Sequence, residues 1–170
     1  YTPIMSIGNR VFKDYDNNRI LDGADVGVDG VEVNLFFDNN QDGIPDSGIN
    51  SPIATTTTAA GGYYLFDGLL SGYYLVQVDE VNFRTTGNGT LRDYYSSQDK
   101  ASPTDTVGVI PTDNENDTIE DGIDNPFDPA QNPDPQAEGV FSPTIHLEPS
   151  NEPATETDLG PEGNGEPNIQ

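Results

Sequence analysis

The stretch GVEVNLFFDNNQDGIPD, residues 30–46, joins a strand pattern to an acidic loop. Alternation with a period of two residues predicts a half-buried β-strand in its first half. We assign Val31, Val33, Leu35 and Phe37 to the buried face and Glu32, Asn34 and Phe36 to the opposite face. The second half is rich in Asp, Asn and Gly, which favour turns and loops. The stretch therefore predicts a strand that ends in a polar connection.

Short runs rich in β-branched and aromatic residues occur on both sides of this stretch. The clearest runs are residues 7–13, 53–58, 63–66 and 73–78. In the last run Tyr74, Val76 and Val78 share one face. Short strands at a spacing of about 8–12 residues, without a long amphipathic helix, predict an all-β fold, an antiparallel sandwich or barrel.

The second half of the chain has a weaker strand pattern. Residues 91–95 and 106–110 are candidate strands, and residues 140–147 are a better one, although Pro143 limits it to an edge or a bulge. From residue 149 onward the sequence is rich in Pro, Gly, Glu and Asn, which is typical of an unstructured tail. We therefore expect one domain over residues 1–148 and a tail or linker over residues 149–170.

Composition excludes several classes of function. Among 170 residues there are 30 Asp and Glu against 6 Lys and Arg, a formal net charge of −24. Such a surface is unsuited to nucleic acid or to anionic membranes, which recruit basic residues. The chain has no cysteine, so a disulfide framework and a thiolate zinc site are excluded. The one histidine, His146, is expected on a strand surface. This balance favours an extracellular, calcium-rich setting, without membrane insertion.

Three acidic clusters follow the spacing of a calcium-binding loop. In such a loop the side chains at positions 1, 3, 5, 9 and 12 and the carbonyl at position 7 supply hard oxygen ligands. The first cluster places Asp14, Asp16, Asn18, Ile20, Asp22 and Asp25 at these positions. It departs from the usual pattern because Arg19 stands where a turn glycine is expected and because Asp25 is shorter than the usual Glu.

The second and third clusters repeat this spacing. In the second, Asp38, Asn40, Asp42, Ile44 and Asp46 fill positions 1 to 9, and Gly43 is the turn glycine. In the third, the corresponding residues are Asp113, Glu115, Asp117, Ile119, Asp121 and Asp124. Two carboxylates about 4 Å apart repel by roughly 4 kcal/mol at an effective dielectric constant near 20, so such loops favour a cation. We expect two to three structural Ca²⁺ ions in place of disulfides; the alternative is that these loops are simply solvated.

Other patterns leave further functions open. Asn88 and Asn116 begin sequons for N-glycosylation. Tyr63, Tyr64, Tyr73 and Tyr74 are candidates for a platform on which a sugar stacks, although strand tyrosines more often straddle core and surface. The many carboxylates leave a glycosidase-like acid/base pair open by number alone. No carboxylate lies in an apolar sequence context, so we expect no enzymatic activity.

Several motifs together resemble one family. These are residues 6–14 (SIGNRVFKD), 27–35 (GVDGVEVNL), 55–58 (TTTT), 62–69 (GYYLFDGL), 72–78 (GYYLVQV), 117–125 and 143–147 (PTIHL). They are similar to the SdrD B-like repeats of Gram-positive Sdr adhesins, within the wider Cna-B, prealbumin-like sandwich group. The resemblance implies a calcium-bound β-sandwich, commonly in tandem, in a rigid stalk, with the first cluster as calcium ligands.

The resemblance also has one departure. Such modules usually close with a strand of the form Thr-x-Asp-Phe-Gly-Phe, which is absent here. The chain begins at Tyr1 rather than Met, so we expect a mature fragment or an excised repeat. We hypothesise that residues 1–7 or the C-terminal tail supply a strand to a neighbouring copy, which gives head-to-tail filaments.

These observations predict a non-enzymatic structural module of an extracellular stalk or fibre, stiffened by Ca²⁺. Its partners would be neighbouring copies or tandem modules of the same kind. The main alternative is an adhesin domain that binds a glycan or a host or matrix protein.

Overall fold

The computed structural model describes residues 4–13, 15, 21, 23–92, 94 and 135–149. Within them the chain forms short strands, one 3₁₀ turn at Glu80–Asn82 and a single helical turn, α1, at Pro135–Glu138. The strands are β1 (Met5–Arg10), β2 (Phe12–Lys13), β3 (Val26–Gly27), β4 (Glu32–Phe37), β5 (Ala54–Thr57), β6 (Tyr63–Leu69), β7 (Gly72–Val78), β8 (Val140–Phe141) and β9 (Ile145–Leu147). The third acidic cluster, residue Asn116, the candidate strand 106–110 and the tail from residue 150 onward lie outside the described residues.

The strands form antiparallel sheets, as the sequence predicts. One sheet pairs β1 with β6, from Met5 opposite Leu69 to Arg10 opposite Tyr63. The other has the order β5-β4-β7-β8, and β9 also pairs with β7. A separate two-residue ribbon joins β2 to β3. The fold is an antiparallel β-sandwich.

The main core lies between the two sheets. Alternate residues of β4 and β7 point into it, so Val33, Leu35 and Val76 are buried against Ile7 of β1 and Phe66 of β6. Each side chain of this kind contributes about 1.5–3 kcal/mol when it is fully buried. The predicted inward face of β7 is thereby confirmed.

A second apolar cluster lies on the outer face of the larger sheet. Phe36, Leu75 and Phe141 are almost completely buried there, and Ile49 packs against them. The expected burial of Phe37 rather than Phe36 was wrong. Phe36 is 0% exposed, whereas Phe37 is 40% exposed. The reason is that residues 38–53 fold back and cover the outer face.

Two of the weaker strand predictions also change. Leu91 and Arg92 form a turn rather than a strand, and the buried side chain of Leu91 joins the main core. Residues 140–147 do not form one strand, because the chain breaks around Pro143 into β8 and β9.

The two ends of the sandwich are used as landmarks below. We call one end the β6–β7 end; it holds the turn between β6 and β7, the starts of β1 and β5, and the ends of β4 and β9. The other is the β5–β6 end, where the turn at residues 58–62 contacts the ribbon of β2 and β3.

Candidate metal-binding loops

Loop one, residues 14–25, connects β2 to β3 at the β5–β6 end. Lys13 lies opposite Val26 in the ribbon, so both ends of the loop are held side by side. The amide of Tyr15 donates to Oδ1 of Asp25, over 3.0 Å, which ties position 2 of the predicted calcium loop to position 12. Of the predicted ligands, Asp25 lies in the described part of the chain. The others, Asp14, Asp16, Asn18, Ile20 and Asp22, lie outside it.

The base of loop one is held by close backbone contacts. A Cβ atom on Gly27 would overlap the carbonyl oxygen of Gly61, so only glycine fits there. Asp29 accepts hydrogen bonds from the amides of Gly61 (2.8 Å) and Gly62 (2.7 Å). The sequence analysis missed this role of Asp29, because Gly61 and Gly62 lie 32 and 33 residues further along the chain.

Loop two, residues 38–53, connects β4 to β5 at the β6–β7 end. Its first residue, Asp38, is 0% exposed. The Asp38 carboxylate accepts hydrogen bonds from the amides of Asp42 (3.1 Å) and Gly43 (3.2 Å) and from the hydroxyl of Thr144. Gly43 has φ of +76°, which makes the sharp turn expected of position 6. The loop therefore curls around its first carboxylate.

The remaining predicted ligands of loop two face neighbours within the same loop. Asn40 Nδ2 donates to Asp42 Oδ2 over 2.8 Å, which brings positions 3 and 5 together. Position 9 turns another way, because Asp46 Oδ2 accepts from the amide (3.0 Å) and the side chain (2.7 Å) of Asn39. Ile44, at position 7, donates its amide to Asp42 Oδ1.

The donor set of loop two suits Ca²⁺, because it consists of carboxylate, amide and backbone oxygens. Asp38 is a buried carboxylate whose hydrogen-bond donors are all neutral, and a buried anion favours a nearby cation. Within the described ranges, no three His, Cys, Asp or Glu side chains are gathered as a metal site would require. The ligand sets of all three loops therefore stay predictions.

Buried polar side chains brace the outer face of the larger sheet beside loop two. Asn34 Nδ2 donates to Gln77 Oε1 (3.0 Å) and to Asp79 Oδ2 (2.6 Å), and Thr55 donates to Asn34 Oδ1. Gln77 in turn donates to the carbonyl of Glu138 in α1 over 2.7 Å. A buried polar network holds its strands in one register when its polar groups all have hydrogen-bond partners. Here the hydrogen bonds join β4 to β5 and β7, and β7 to α1.

The sequon at Asn88 is already engaged in the folded domain. Its Nδ2 donates to Oδ1 of the buried Asn82 over 2.8 Å and to the carbonyl of Gly30 over 3.4 Å. A glycan on this nitrogen would replace one of its two hydrogens, so one of these two hydrogen bonds would be lost. Glycosylation of Asn88 remains a prediction, and these contacts oppose it.

The four strand tyrosines have different partners and do not line one platform. The Arg10 guanidinium lies 5.0 Å from the Tyr63 ring centroid, and Tyr64 packs edge-on against Phe66. Tyr74 is 3% exposed, and its hydroxyl donates to the carbonyl of Leu70 over 2.9 Å. Burial raises the pKa of the Tyr74 phenol.

Tyr73, the fourth of these tyrosines, contacts His146. Their rings stack 4.3 Å apart across β7 and β9. His146 is exposed, as predicted.

Comparison with known proteins settles the family. The profile described as the SdrD B-like domain matches residues 5–123. The chain belongs to this family. Its members include repeat domains of cell-surface adhesins. Among the described residues of this SdrD B-like domain, no helix is both long and apolar enough to cross a membrane.

Similar regions occur in much longer proteins. The domain is 36% identical over 92 residues to colossin-B of Dictyostelium discoideum, which covers 53% of the chain and 2% of that protein. It is 31% identical over 121 residues to a fibrinogen-binding protein of Staphylococcus epidermidis, which covers 71% of the chain and 10% of that protein. It is 32% identical over 128 residues to serine-aspartate repeat-containing protein D of Staphylococcus aureus, which covers 74% of the chain and 8% of that protein. The chain thus spans at most a tenth of the length of these relatives.

Proposed function

We propose that this SdrD B-like domain is a non-enzymatic structural module of an extracellular stalk or fibre, stiffened by Ca²⁺ and assembled head to tail. The observation that carries the proposal is that the strands joined by the two acidic loops end at opposite ends of the sandwich, β2 and β3 at the β5–β6 end and β4 and β5 at the β6–β7 end. A cation at each end would restrain the segments nearest to neighbouring modules.

Calcium would act differently at the two loops. At loop one it would draw the carboxylates of the connection between β2 and β3 together above Gly27 and Asp29. At loop two it would reinforce the attachment of Asp38 to Thr144, which joins the end of β4 to the segment before β9. At about 1 mM Ca²⁺ and a dissociation constant near 0.1 mM, each ion adds roughly 1.4 kcal/mol of stability.

The pairing of β1 limits which segment could be donated to a neighbouring copy. Met5 and Ile7 already pair with β6 of the same domain. A donated strand would therefore come from the tail, residues 149–170, rather than from residues 1–7.

A second candidate function is ligand binding. It is supported by the similarity to a relative named as a fibrinogen-binding protein. Fibrinogen binding by this chain, measured by surface plasmon resonance and paired with a glycan array, tests this candidate; a pure spacer binds neither.

Thermal unfolding in Ca²⁺, in Mg²⁺ and in a chelator tests the structural proposal, with negative-stain microscopy of the same samples. We expect Ca²⁺ to raise the melting temperature by several degrees relative to chelator, since about 1 kcal/mol shifts a domain of this size by about 2–4 °C. Asp42→Asn should reduce the shift, whereas Asp67→Asn, an exposed acid of β6 outside the loops, should not. Equal melting temperatures in Ca²⁺ and chelator would overturn the proposal.

A further inference from the structure

Strand β5 forms one edge of the larger sheet. The sheet has the order β5-β4-β7-β8, with β9 also on β7, and no other described strand pairs with the outer side of β5. The opposite edge is interrupted, because the chain breaks around Pro143 between β8 and β9. A free edge pairs readily with another strand, so proteins commonly protect it with lysine, proline or a bulge. The four residues of β5, Ala-Thr-Thr-Thr, include neither lysine nor proline.

The backbone groups of Thr55 and Thr57 point away from the sheet. The amide of Thr58 donates to the carbonyl of Val31 over 2.9 Å, and the register of β5 on β4 is regular from residue 54 to residue 57. Because the residues of an antiparallel strand face its neighbour alternately, Thr56 also bonds to β4. The N–H and C=O of Thr55 and Thr57 therefore face outward.

These outward groups are accessible and held in place. Thr55 and Thr57 are exposed, whereas Ala54 and Thr56 are half-buried. Ala54 packs against the main core, and the Thr55 hydroxyl donates to Oδ1 of the buried Asn34 over 2.7 Å. No described residue supplies a backbone partner on the outer side of β5. The strand is therefore a preformed edge with two residues ready for hydrogen bonding.

Charge identifies the kind of strand that fits this edge. The chain carries a net charge of −24, yet residues 47–66, which include β5, contain no Asp, Glu, Lys, Arg or His. The acids that border this stretch are Asp46 and Asp67 in sequence and Glu32, which lies opposite Thr57 on β4. Like charges directly opposite each other destabilise a pair of strands, whereas Thr–Thr pairs stabilise it. A second copy of β5 brings Thr opposite Thr and places no acid in the pairing.

We propose that β5 of one copy pairs with β5 of a second copy in an antiparallel, two-fold arrangement. The pairing goes beyond the proposed function, because it joins copies side by side through a sheet edge and uses none of the predicted calcium ligands. Thr55 of each copy would lie opposite Thr57 of the other, with Thr56 of both copies at the two-fold axis.

This register satisfies the outward groups of both residues. In a hydrogen-bonded antiparallel pair, each residue donates to and accepts from the residue opposite. The two pairs of Thr55 with Thr57 therefore make four backbone hydrogen bonds. A symmetric contact of this kind is self-complementary and closes at two copies.

The charges nearest to the pairing lie some distance from their counterparts. Glu32 is on β4, so the two paired β5 strands separate it from Glu32 of the other copy. With strands about 4.8 Å apart, three spacings amount to about 14 Å. Salt near 0.15 M screens exposed charges more than about 8 Å apart. The pairing should therefore strengthen as salt is raised, whereas a contact made by ion pairs would weaken.

Separate copies should associate weakly. Four hydrogen bonds between exposed strands form a contact well below the size of a stable protein interface. Several such domains linked in one chain would raise the effective concentration of each contact to the millimolar range, where a weak contact suffices.

Disulfide trapping tests the register, because the chain has no cysteine. In the proposed pairing the two Thr56 Cα atoms lie about 4.5 Å apart, within the range of about 4.4–6.8 Å that a disulfide spans. The two Thr55 Cα atoms lie about 8–9 Å apart, which is too far. On mild oxidation at high concentration, we expect Thr56→Cys to give several times more covalent dimer than Thr55→Cys. A mixture of Thr55→Cys and Thr57→Cys should give more covalent dimer than either variant alone.

Removal of an outward donor provides a second test, in which sedimentation measures the association of the intact domain. Thr57→Pro removes an N–H that faces away from β4, so the two-fold pairing loses two of its four hydrogen bonds. We expect association to weaken about tenfold or more. Thr57→Val keeps the N–H and the preference for a strand, so this matched control should associate within about twofold of the unchanged chain. The melting temperature of each variant checks that it is folded.

Three results would overturn the pairing: equal covalent dimer from Thr55→Cys and Thr56→Cys, equal association of Thr57→Pro and Thr57→Val, or association that weakens as salt is raised. A chain that stays monomeric at every concentration would overturn it as well. If Thr57→Pro does not fold, the disulfide comparison decides. Calcium-dependent melting would survive each of these results, so failure of the edge pairing is distinguishable from failure of the proposed function.

Discussion

Loop one and loop two share a spacing of acidic residues but are attached to the domain differently. Loop two begins at the buried Asp38, and its Ile49 packs on the cluster of Phe36, Leu75 and Phe141. Loop one is held at its base by a two-residue ribbon and by the bond from Tyr15 to Asp25, and Tyr15 is 61% exposed. Loop two therefore packs on the domain through its own side chains, and we propose that the order of loop one depends more on a bound cation than the order of loop two does.

The comparison teaches that a calcium-loop pattern does not by itself define a loop's role. Apolar side chains inside loop two make it part of a second core. Removing that core should damage the domain whether or not Ca²⁺ is present, and removing a ligand should matter mainly when it is present.

The largest expected effect comes from the second core. Phe36→Ala should lower the free energy of unfolding by about 3–5 kcal/mol, since a buried aromatic ring leaves a cavity. Phe37→Ala, its exposed neighbour in β4, is the matched control and should cost much less. Chemical denaturation of both variants in chelator checks this. Equal losses would mean that loop two does not pack as described.

The base of loop one should be almost as sensitive. Gly27→Ala should cost about 3 kcal/mol, because the new methyl group would overlap the Gly61 carbonyl and overpacking has costs of this order. Gly23→Ala, also near the end of loop one, meets nothing within 4 Å and should be close to neutral. A stable Gly27→Ala variant would show that the ribbon can shift away from the turn at residues 58–62.

A moderate effect is expected at the first residue of loop two. Asp38→Ala should cost about 1–3 kcal/mol in chelator, because two amides and the Thr144 hydroxyl lose their acceptor. Asp46→Ala, which removes an exposed acceptor, should cost less. The loss in free energy of unfolding is measured for each variant in Ca²⁺ and in chelator. The loss in chelator reports the hydrogen bonds of the carboxylate, and any additional loss in Ca²⁺ reports its role as a calcium ligand. If Asp38→Ala were neutral in both, the carboxylate would not anchor the loop.

The smallest effect concerns pH at the β6–β7 end. The pKa of Tyr74 is raised, mainly by burial, above its ordinary value of 10.0. Its neutral form is favoured in the folded state, so this stabilisation is fully present below about pH 10 and is lost as pH rises through the raised pKa. Tyr74→Phe should flatten the fall in stability above pH 10 in urea titrations. An unchanged slope would contradict the assignment.

Much of the fold follows from local patterns, whereas the site depends on distant contacts. Alternation in β4 and β7 predicted the strands and the inner core, because strand side chains point to opposite faces in turn. The burial of Phe36 was not predicted, since it requires loop two to fold over the outer face and Phe141 of β8 to pack beside it. The roles of Thr144 at Asp38 and of Asp29 at Gly61 also depend on residues far apart in sequence. Spacing predicted candidate ligands, but it carries no information about what anchors each loop.

Hydrogen exchange of the loop amides in Ca²⁺ and in chelator tests the central claim most directly. The account predicts that Ca²⁺ slows exchange in residues 14–25 by about tenfold or more, in line with occupancy of a site near 0.1 mM by 1 mM ion. The amides of Asp42 and Gly43 should change less, because Asp38 already accepts their hydrogen bonds. Identical exchange of residues 14–25 in the two conditions would contradict the claim that Ca²⁺ rigidifies this domain.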